Sequence, residues 1–190
     1  MDLVLASASP RRRELLETTG YAFKVDVAGV EEACTGKGSP AELAMYNAEI
    51  KGEAVFRQHP DSLTLGADTV VVLDGKILGK PQDIADAREM LHRLSGRENE
   101  VITGLAWFHH TGIEKVAVHT KVVFRNLTAD EIDAYVASGE PMDKAGAYGI
   151  QGGAAGFVQQ VTGSYTNVVG LPLAEVVQHL HRFSELHRYL

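Results

Sequence analysis

A short apolar strand that runs directly into an arginine-rich helix most constrains the fold of this chain. Leu3–Ala6 has the composition of a buried strand, and Ser9-Pro10 suits the N-cap and first position of a helix. Arg11–Arg13 then falls in the first turn, where free N–H groups already carry partial positive charge and each added cation costs up to about 1 kcal/mol. Because helix N-termini bind phosphate and other anions, this arrangement predicts an anion site.

The arginines of this first turn differ in their predicted roles. Arg11 and Arg12 lie one turn before the apolar face of the helix, so their side chains are expected near the carboxyl end of the first strand, where α/β proteins place ligands. Ser7 at the strand end would add a hydroxyl donor. Arg13 precedes Glu17 by four residues and predicts a surface ion pair. Three solvated arginines on one helix face are the alternative interpretation.

Composition narrows the class of protein. The chain has 190 residues and a net charge of −7, which predicts one domain over residues 1–190 and opposes general binding to nucleic acid or an anionic membrane. Cys34 is the only cysteine, which excludes an intrachain disulfide and favours a reducing compartment. The sequence has no signal-peptide pattern and no apolar run long enough for a membrane span, so we expect a cytoplasmic protein.

Helical and strand patterns alternate along the chain and predict an α/β fold with a mixed sheet. Capping signals at Ser39, Asp83 and Thr128 predict the starts of three helices. Asp74-Gly75 predicts a hairpin turn. The segment Leu63–Leu73 is rich in strand formers, and we expect it to be interrupted at its Gly-Ala-Asp-Thr sequence. Two long antiparallel strands follow near residues 100–108 and 115–124, and these would suit a homodimer interface.

Asp68 is the main candidate for chemistry. A carboxylate between apolar strand segments is costly unless it is paired or binds a cation, so Asp68 is a candidate general base or Mg²⁺ ligand. Glu31-Glu32 follows a strand and offers a second carboxylate. The alternatives are an ordinary capping aspartate in a turn and a solvated acidic pair.

Two lysines and a glycine-rich segment supply further candidates. Lys51 and Lys80 are candidate phosphate contacts, with surface lysines as the alternative. Gln151 both donates and accepts hydrogen bonds, which suits reading the edge of a nucleobase. Tyr148 in the same segment is expected in the core. His109-His110 and the pair His179/His181 lack the context of metal ligands, and we expect structural or surface roles for them.

Several motifs in order resemble the Maf family of nucleoside triphosphate pyrophosphatases. The matching segments cover nearly the whole chain and are residues 6–12 (ASASPRR), 48–51 (AEIK), 66–69 (GADT), 79–81 (GKP), 143–152 (DKAGAYGIQG), 163–165 (GSY) and 167–172 (NVVGLP). The segment that ends at Gln151-Gly152 looks like the dTTP/UTP branch of the family. Asn47 and Gly52 depart from the expected leucine and alanine around Lys51, and they are expected to loosen that helix.

The resemblance implies a fold, a reaction and a set of residues. It implies a long mixed sheet flanked by helices, with two lobes around a cleft, similar to inosine triphosphate pyrophosphatases. It implies hydrolysis of a nucleoside triphosphate to the monophosphate and pyrophosphate with a divalent cation (Mg²⁺, Mn²⁺ or Co²⁺). Asp68 matches the catalytic acidic residue, which is described as the proton acceptor, and Glu32 matches a pocket position; we expect both carboxylates to hold the metal. The substrate-binding and specificity positions are Ser7, Arg11, Arg12, Lys51, Thr69, Lys80 and Gln151.

A different class of function fits part of the same pattern. A non-catalytic nucleotide-binding regulator of cell division or septum formation, a role also associated with the family, would need the arginine turn but not Asp68. Release of pyrophosphate from dTTP or UTP separates the two hypotheses.

Overall fold

The computed structural model describes residues 1–33 and 38–189, so Cys34 lies outside the described residues. The helices are α1 (Pro10–Glu17), α2 (Pro40–Phe56), α3 (Ile84–Leu94), α4 (Ala129–Ala137), α5 (Tyr165–Val169) and α6 (Leu173–Leu180). The strands are β1 (Leu3–Ala6), β2 (Phe23–Val25), β3 (Leu63–Leu73), β4 (Lys76–Leu78), β5 (Glu98–His109), β6 (Gly112–Phe124) and β7 (Val158–Thr162). No helix within these two ranges has both the length and the apolar composition for a membrane span.

The strands form one mixed sheet, as predicted. Its order is β2-β1-β3-β5-β6-β7, and β4 pairs with β3. β1 is parallel to both β2 and β3, whereas the pairs β3–β4 and β6–β7 are antiparallel. The α/β class is therefore confirmed, while the predicted homodimer stays a prediction.

Local capping chemistry sets most helix starts where the sequence predicts them. Ser39 and Thr128 form complete capping boxes, and the side chain of Asp83 accepts the Asp86 N–H at the start of α3. The hairpin turn is also confirmed, because Asp74 and Gly75 both have the positive φ of a tight two-residue turn (50° and 72°). The expected interruption of β3 is wrong. Gly66–Thr69 continues the strand without a break.

The described residues divide into two compact units. The first comprises the described parts of Met1–Asp68, Thr103–Val118 and Gly170–Leu190, and the second comprises Thr69–Ile102 and His119–Val169. Strands β3, β5 and β6 contribute residues to both. The predicted single domain over residues 1–190 stays a prediction.

Apolar side chains that alternate between the two faces of β1 contribute to the core of the first unit on both sides of the sheet. Leu3 and Leu5 of β1 join one apolar cluster with Leu16 of α1 and Val176 of α6, whereas Val4 belongs to a separate cluster that includes α2. Successive strand side chains point to opposite faces, so helices cover both faces of the sheet in this unit.

Helix α2 approaches the sheet unusually closely because glycines face it. A Cβ on Gly66 of β3 would lie 2.1 Å from the carbonyl oxygen of Ala48, and one on Gly104 of β5 would lie 2.4 Å from the carbonyl carbon of Ala44. Gly52 of α2 makes the reciprocal contact, since a Cβ there would lie 2.5 Å from the ring of Phe108. The departure from alanine at position 52 thus makes room for an aromatic ring, and α2 continues through Gly52 without a break.

In the second unit, α3, α4 and the glycine-rich segment share one core. Phe124 of β6 packs edge-on against Tyr148, and the hydroxyl of Tyr148 donates to Asn99 Oδ1 (2.9 Å). The expectation that Tyr148 lies in the core is confirmed. Gly146 and Ala147 both have positive φ (68° and 60°), a conformation that is strained for alanine.

A buried histidine in the first unit makes stability depend on pH. The His179 ring stacks on Trp107 with centroids 4.2 Å apart, and burial lowers its pKa to about 4, with Arg182 and His109 acting in the same direction and Glu114 opposing them. The folded state therefore favours neutral His179. The resulting stability is complete above the ordinary histidine pKa and is lost as pH falls toward 4.

His179→Phe is expected to remove this dependence while keeping the stack on Trp107. Between about pH 7 and pH 4.5, wild type should lose about 2–3 kcal/mol of unfolding free energy relative to the variant. Urea unfolding of both proteins across this range measures the difference. Parallel stability curves would rule out the assigned role of His179.

Candidate active site

One lysine joins two carboxylates at the carboxyl end of the parallel strands in the first unit. Lys51 Nζ lies 2.7 Å from Asp68 Oδ1 and 2.6 Å from Glu32 Oε1. Asp68 is 7% exposed, whereas about half of the Glu32 side chain is open to solvent. Only the family resemblance predicts that these three residues share one site. The structure brings them together.

The side-chain periodicities of β3 and α2 explain why Lys51 reaches Asp68. Gly66 and Asp68 lie two residues apart on one strand and therefore face the same side of the sheet. Ala48 contacts Gly66, and Lys51 follows Ala48 by three residues on the same face of α2. The absence of a side chain at Gly66 thus lets α2 settle where the Lys51 ammonium reaches the Asp68 carboxylate.

Among the arginines in the first turn of α1 (Arg11–Arg13), Arg12 makes the main contacts with the rest of the site. Its Nε donates to the carbonyl of Gly170 (2.8 Å) and its Nη1 to Ser7 Oγ (3.1 Å). Ser9 is the N-cap, as predicted, because its side chain accepts the Arg12 N–H. Arg13 pairs with Glu17 at 3.3 Å on the exposed surface, which confirms the predicted ion pair.

The cluster carries more positive than negative charge. Burial lowers the pKa of Arg12 and the positive charge of Arg11 adds to this effect, whereas the negative charges of Asp68 and Glu32 oppose it. An arginine remains charged in proteins, so two cations, Arg12 and Lys51, accompany the two carboxylates. Arg11 is half-buried beside them and adds a further positive charge. This excess suits an anionic ligand.

The other three predicted residues lie in the second unit. Thr69 follows Asp68 directly and is half-buried, Lys80 is exposed after β4, and Gln151 is exposed on a turn of the glycine-rich segment. A carboxylate shapes this turn, because Glu140 Oε2 accepts the Gly153 N–H (2.9 Å).

The sequence missed two parts of the cluster. The Gly170 carbonyl accepts a hydrogen bond from Arg12, and a backbone carbonyl leaves no pattern in the sequence that could predict this role. Asn47 is the second part: the sequence predicts only that it loosens α2, whereas it is 3% exposed, precedes Lys51 by one helical turn, and donates from Nδ2 to Asp68 Oδ2 (3.2 Å). A polar residue on the face of a helix that also carries a candidate site lysine is the pattern that could have identified it.

The donor set fits partial ligation of a divalent cation. Asp68 and Glu32 contact the same ammonium group, so their carboxylates lie close enough to share one cation. Residues 1–33 and 38–189 contain no group of three or more His, Cys, Asp or Glu side chains arranged to hold a metal ion. Mg²⁺ commonly uses one or two protein carboxylates and completes its shell with substrate phosphates and water. The two carboxylates match that requirement.

Comparison with known proteins decides the family. The family model for Maf-like proteins matches residues 2–183. The chain belongs to the Maf-like protein family. The relatives named "dTTP/UTP pyrophosphatase" include one from Bacillus cytotoxicus, 49% identical over 180 residues that cover 95% of this chain and 94% of the relative. Another, from Symbiobacterium thermophilum, is 50% identical over 183 residues that cover 95% and 93%.

A solved structure matches the chain more distantly. A nucleoside-triphosphatase (dITP/XTP pyrophosphatase) from Mycobacterium abscessus superposes with a TM-score of 0.48, 15% sequence identity and coverage of 96% of both chains. The family model and the sequence relatives show the family, and this superposition adds no argument.

Proposed function

We infer that this chain hydrolyses dTTP and UTP to the nucleoside monophosphate and pyrophosphate. The observation that carries the inference is the cluster in which buried Asp68 meets Lys51 and Glu32, in a chain about half identical to relatives named for this activity. Asp68 orients or deprotonates the water that attacks the α-phosphorus, and pyrophosphate leaves. Such transfers depend on positioning and charge neutralisation more than on covalent help from the protein.

Basic side chains hold the triphosphate in this proposal. Arg11, Arg12, Lys51 and Lys80 supply the positive charge, and Ser7 supplies a hydroxyl. Lys51 contacts both carboxylates and offsets part of their negative charge, which reduces their repulsion of an incoming anion. A divalent cation held by Asp68 and Glu32 would supply charge neutralisation of the phosphates. Thr69 and Gln151 read the pyrimidine.

A nucleotide panel tests the proposed function. Purified protein is incubated with dTTP, UTP, dCTP, dATP and dGTP, each with Mg²⁺, Mn²⁺ or Co²⁺, and both products are measured. We expect pyrophosphate and monophosphate in equal amounts, with kcat/KM for dTTP and UTP at least about tenfold above the purine nucleotides. Activity should disappear when the cation is chelated. Binding of dTTP without release of pyrophosphate would contradict the proposal and favour the regulatory alternative.

Gln151→Ala is expected to weaken base selection rather than hydrolysis itself. Loss of an amide that pairs with the base should lower kcat/KM for dTTP and UTP about ten- to hundredfold and change the values for purine triphosphates little. Gln159→Ala, another exposed glutamine, is the matched control. Equal losses for pyrimidine and purine triphosphates would show that Gln151 does not read the base.

A further inference from the structure

The Asn47 side chain is buried on the face of α2 that meets β3. It is 3% exposed, so it has no open surface with which to contact a nucleotide. It precedes Lys51 by four residues, and both side chains therefore point the same way from the helix. Burial of a primary amide is costly unless its donors and acceptor are paired, and here all of them are paired.

Three hydrogen bonds fix the amide in one orientation. Oδ1 accepts the Ala33 N–H (2.9 Å), while Nδ2 donates to the Ala33 carbonyl (3.0 Å) and to Asp68 Oδ2 (3.2 Å). A flipped amide would set Nδ2 against the Ala33 N–H and its oxygen against both a carbonyl and a carboxylate. The pairing thus accepts only the orientation that donates to Asp68.

These bonds connect the two carboxylates of the candidate active site. Lys51 binds one oxygen of Asp68 and Asn47 binds the other, so the carboxylate is held from both sides. Ala33 directly follows Glu32, whose carboxylate contacts Lys51. Anchoring Ala33 therefore fixes the segment that carries Glu32. We propose that Asn47 is a positioning residue that holds Asp68 and the Glu32 segment in register for hydrolysis.

This inference rests on the proposed function and predicts which kinetic constant changes. Asn47 lies behind the carboxylates and does not face the nucleotide, so its loss should misplace the reacting groups and leave the phosphate contacts of the arginines in place. A misplacement of about 1 Å is enough to cost a hundredfold in rate. We therefore expect loss of Asn47 to lower kcat and to leave KM nearly unchanged.

Asn47→Leu is the test variant, because leucine is similar in size and forms no hydrogen bonds. Asn99→Leu is the matched control, since Asn99 is equally buried (2% exposed) and bonds the Val122 carbonyl and the Tyr148 hydroxyl. Measurements are kcat and KM on dTTP, the fraction folded from urea unfolding, and hydrogen exchange of the Ala33 amide. Asn47→Asp, which keeps the shape and the acceptor for the Ala33 N–H but puts an oxygen in place of Nδ2 beside Asp68 Oδ2, serves if the leucine variant does not fold.

The proposal expects kcat of folded Asn47→Leu to fall about ten- to hundredfold at unchanged KM, with faster exchange at Ala33. Asn99→Leu should keep kcat within about twofold once the folded fraction is taken into account. In Asn47→Asp, kcat should fall while Ala33 stays protected. Wild-type kcat in Asn47→Leu, or an Ala33 amide that exchanges as in wild type, would overturn it. A wild-type protein inactive on every triphosphate would instead refute the proposed function, and exchange at Ala33 would still decide whether Asn47 holds the segment.

Discussion

Asp68→Asn is expected to lower kcat on dTTP and UTP about a thousandfold while leaving KM within about threefold. The substitution keeps the shape of the side chain but removes the negative charge that accepts a proton and that Lys51 and Asn47 hold in place. Nucleotide contacts attributed to the arginines remain. Release of pyrophosphate at saturating dTTP measures kcat, and calorimetric titration of the variant measures binding.

Asp61→Asn is the control for this variant, because Asp61 is an exposed aspartate of the same unit. It should retain wild-type kinetics. If Asp68→Asn keeps kcat within threefold of wild type, Asp68 does not carry the chemistry. Loss of both binding and turnover would show that the carboxylate is needed to build the site and not specifically for the attack of water.

Gly66→Ala is expected to destabilise the protein by about 3 kcal/mol or more, or to prevent folding. The new methyl group would lie 2.1 Å from the Ala48 carbonyl oxygen, and a backbone atom in the middle of a helix cannot move aside cheaply. Relief of the clash requires α2 to move away from β3, which would also separate Lys51 from Asp68. Urea unfolding gives the free energy, and kcat on dTTP gives the functional consequence.

Gly156→Ala is the matched substitution, because nothing lies within 4 Å of a Cβ at that position and its φ is not positive. Its unfolding free energy should stay within about 1 kcal/mol of wild type. If the two alanine variants are equally stable, α2 does not depend on the close contact at Gly66.

Local signals in the sequence predicted much of the secondary structure. Ser39, Asp83 and Thr128 cap their helices because capping depends on residues within one turn. The hairpin at Asp74-Gly75 follows equally from its own two residues. Such features need no information from distant parts of the chain.

The errors arose where tertiary packing decides. Gly66 looked like a turn signal, yet it is a strand glycine that makes room for Ala48, and no local pattern separates these two uses. Asn47 and Gly52 are poor helix formers, so the local pattern predicts only that they loosen α2. Their roles depend on Ala33, Asp68 and Phe108, which are distant in sequence. The grouping of Lys51 with Asp68 came from the resemblance to a family, because spacing along the chain does not contain it.

Hydrolysis of dTTP in water enriched in oxygen-18 tests the central claim most directly. Attack of water on the α-phosphorus, with pyrophosphate as the leaving group, places the heavy oxygen in dTMP and none in pyrophosphate. Mass spectrometry of both products after a single turnover distinguishes the position of attack. The proposed function predicts label in dTMP alone. Label in pyrophosphate, or release of orthophosphate in place of pyrophosphate, would contradict it.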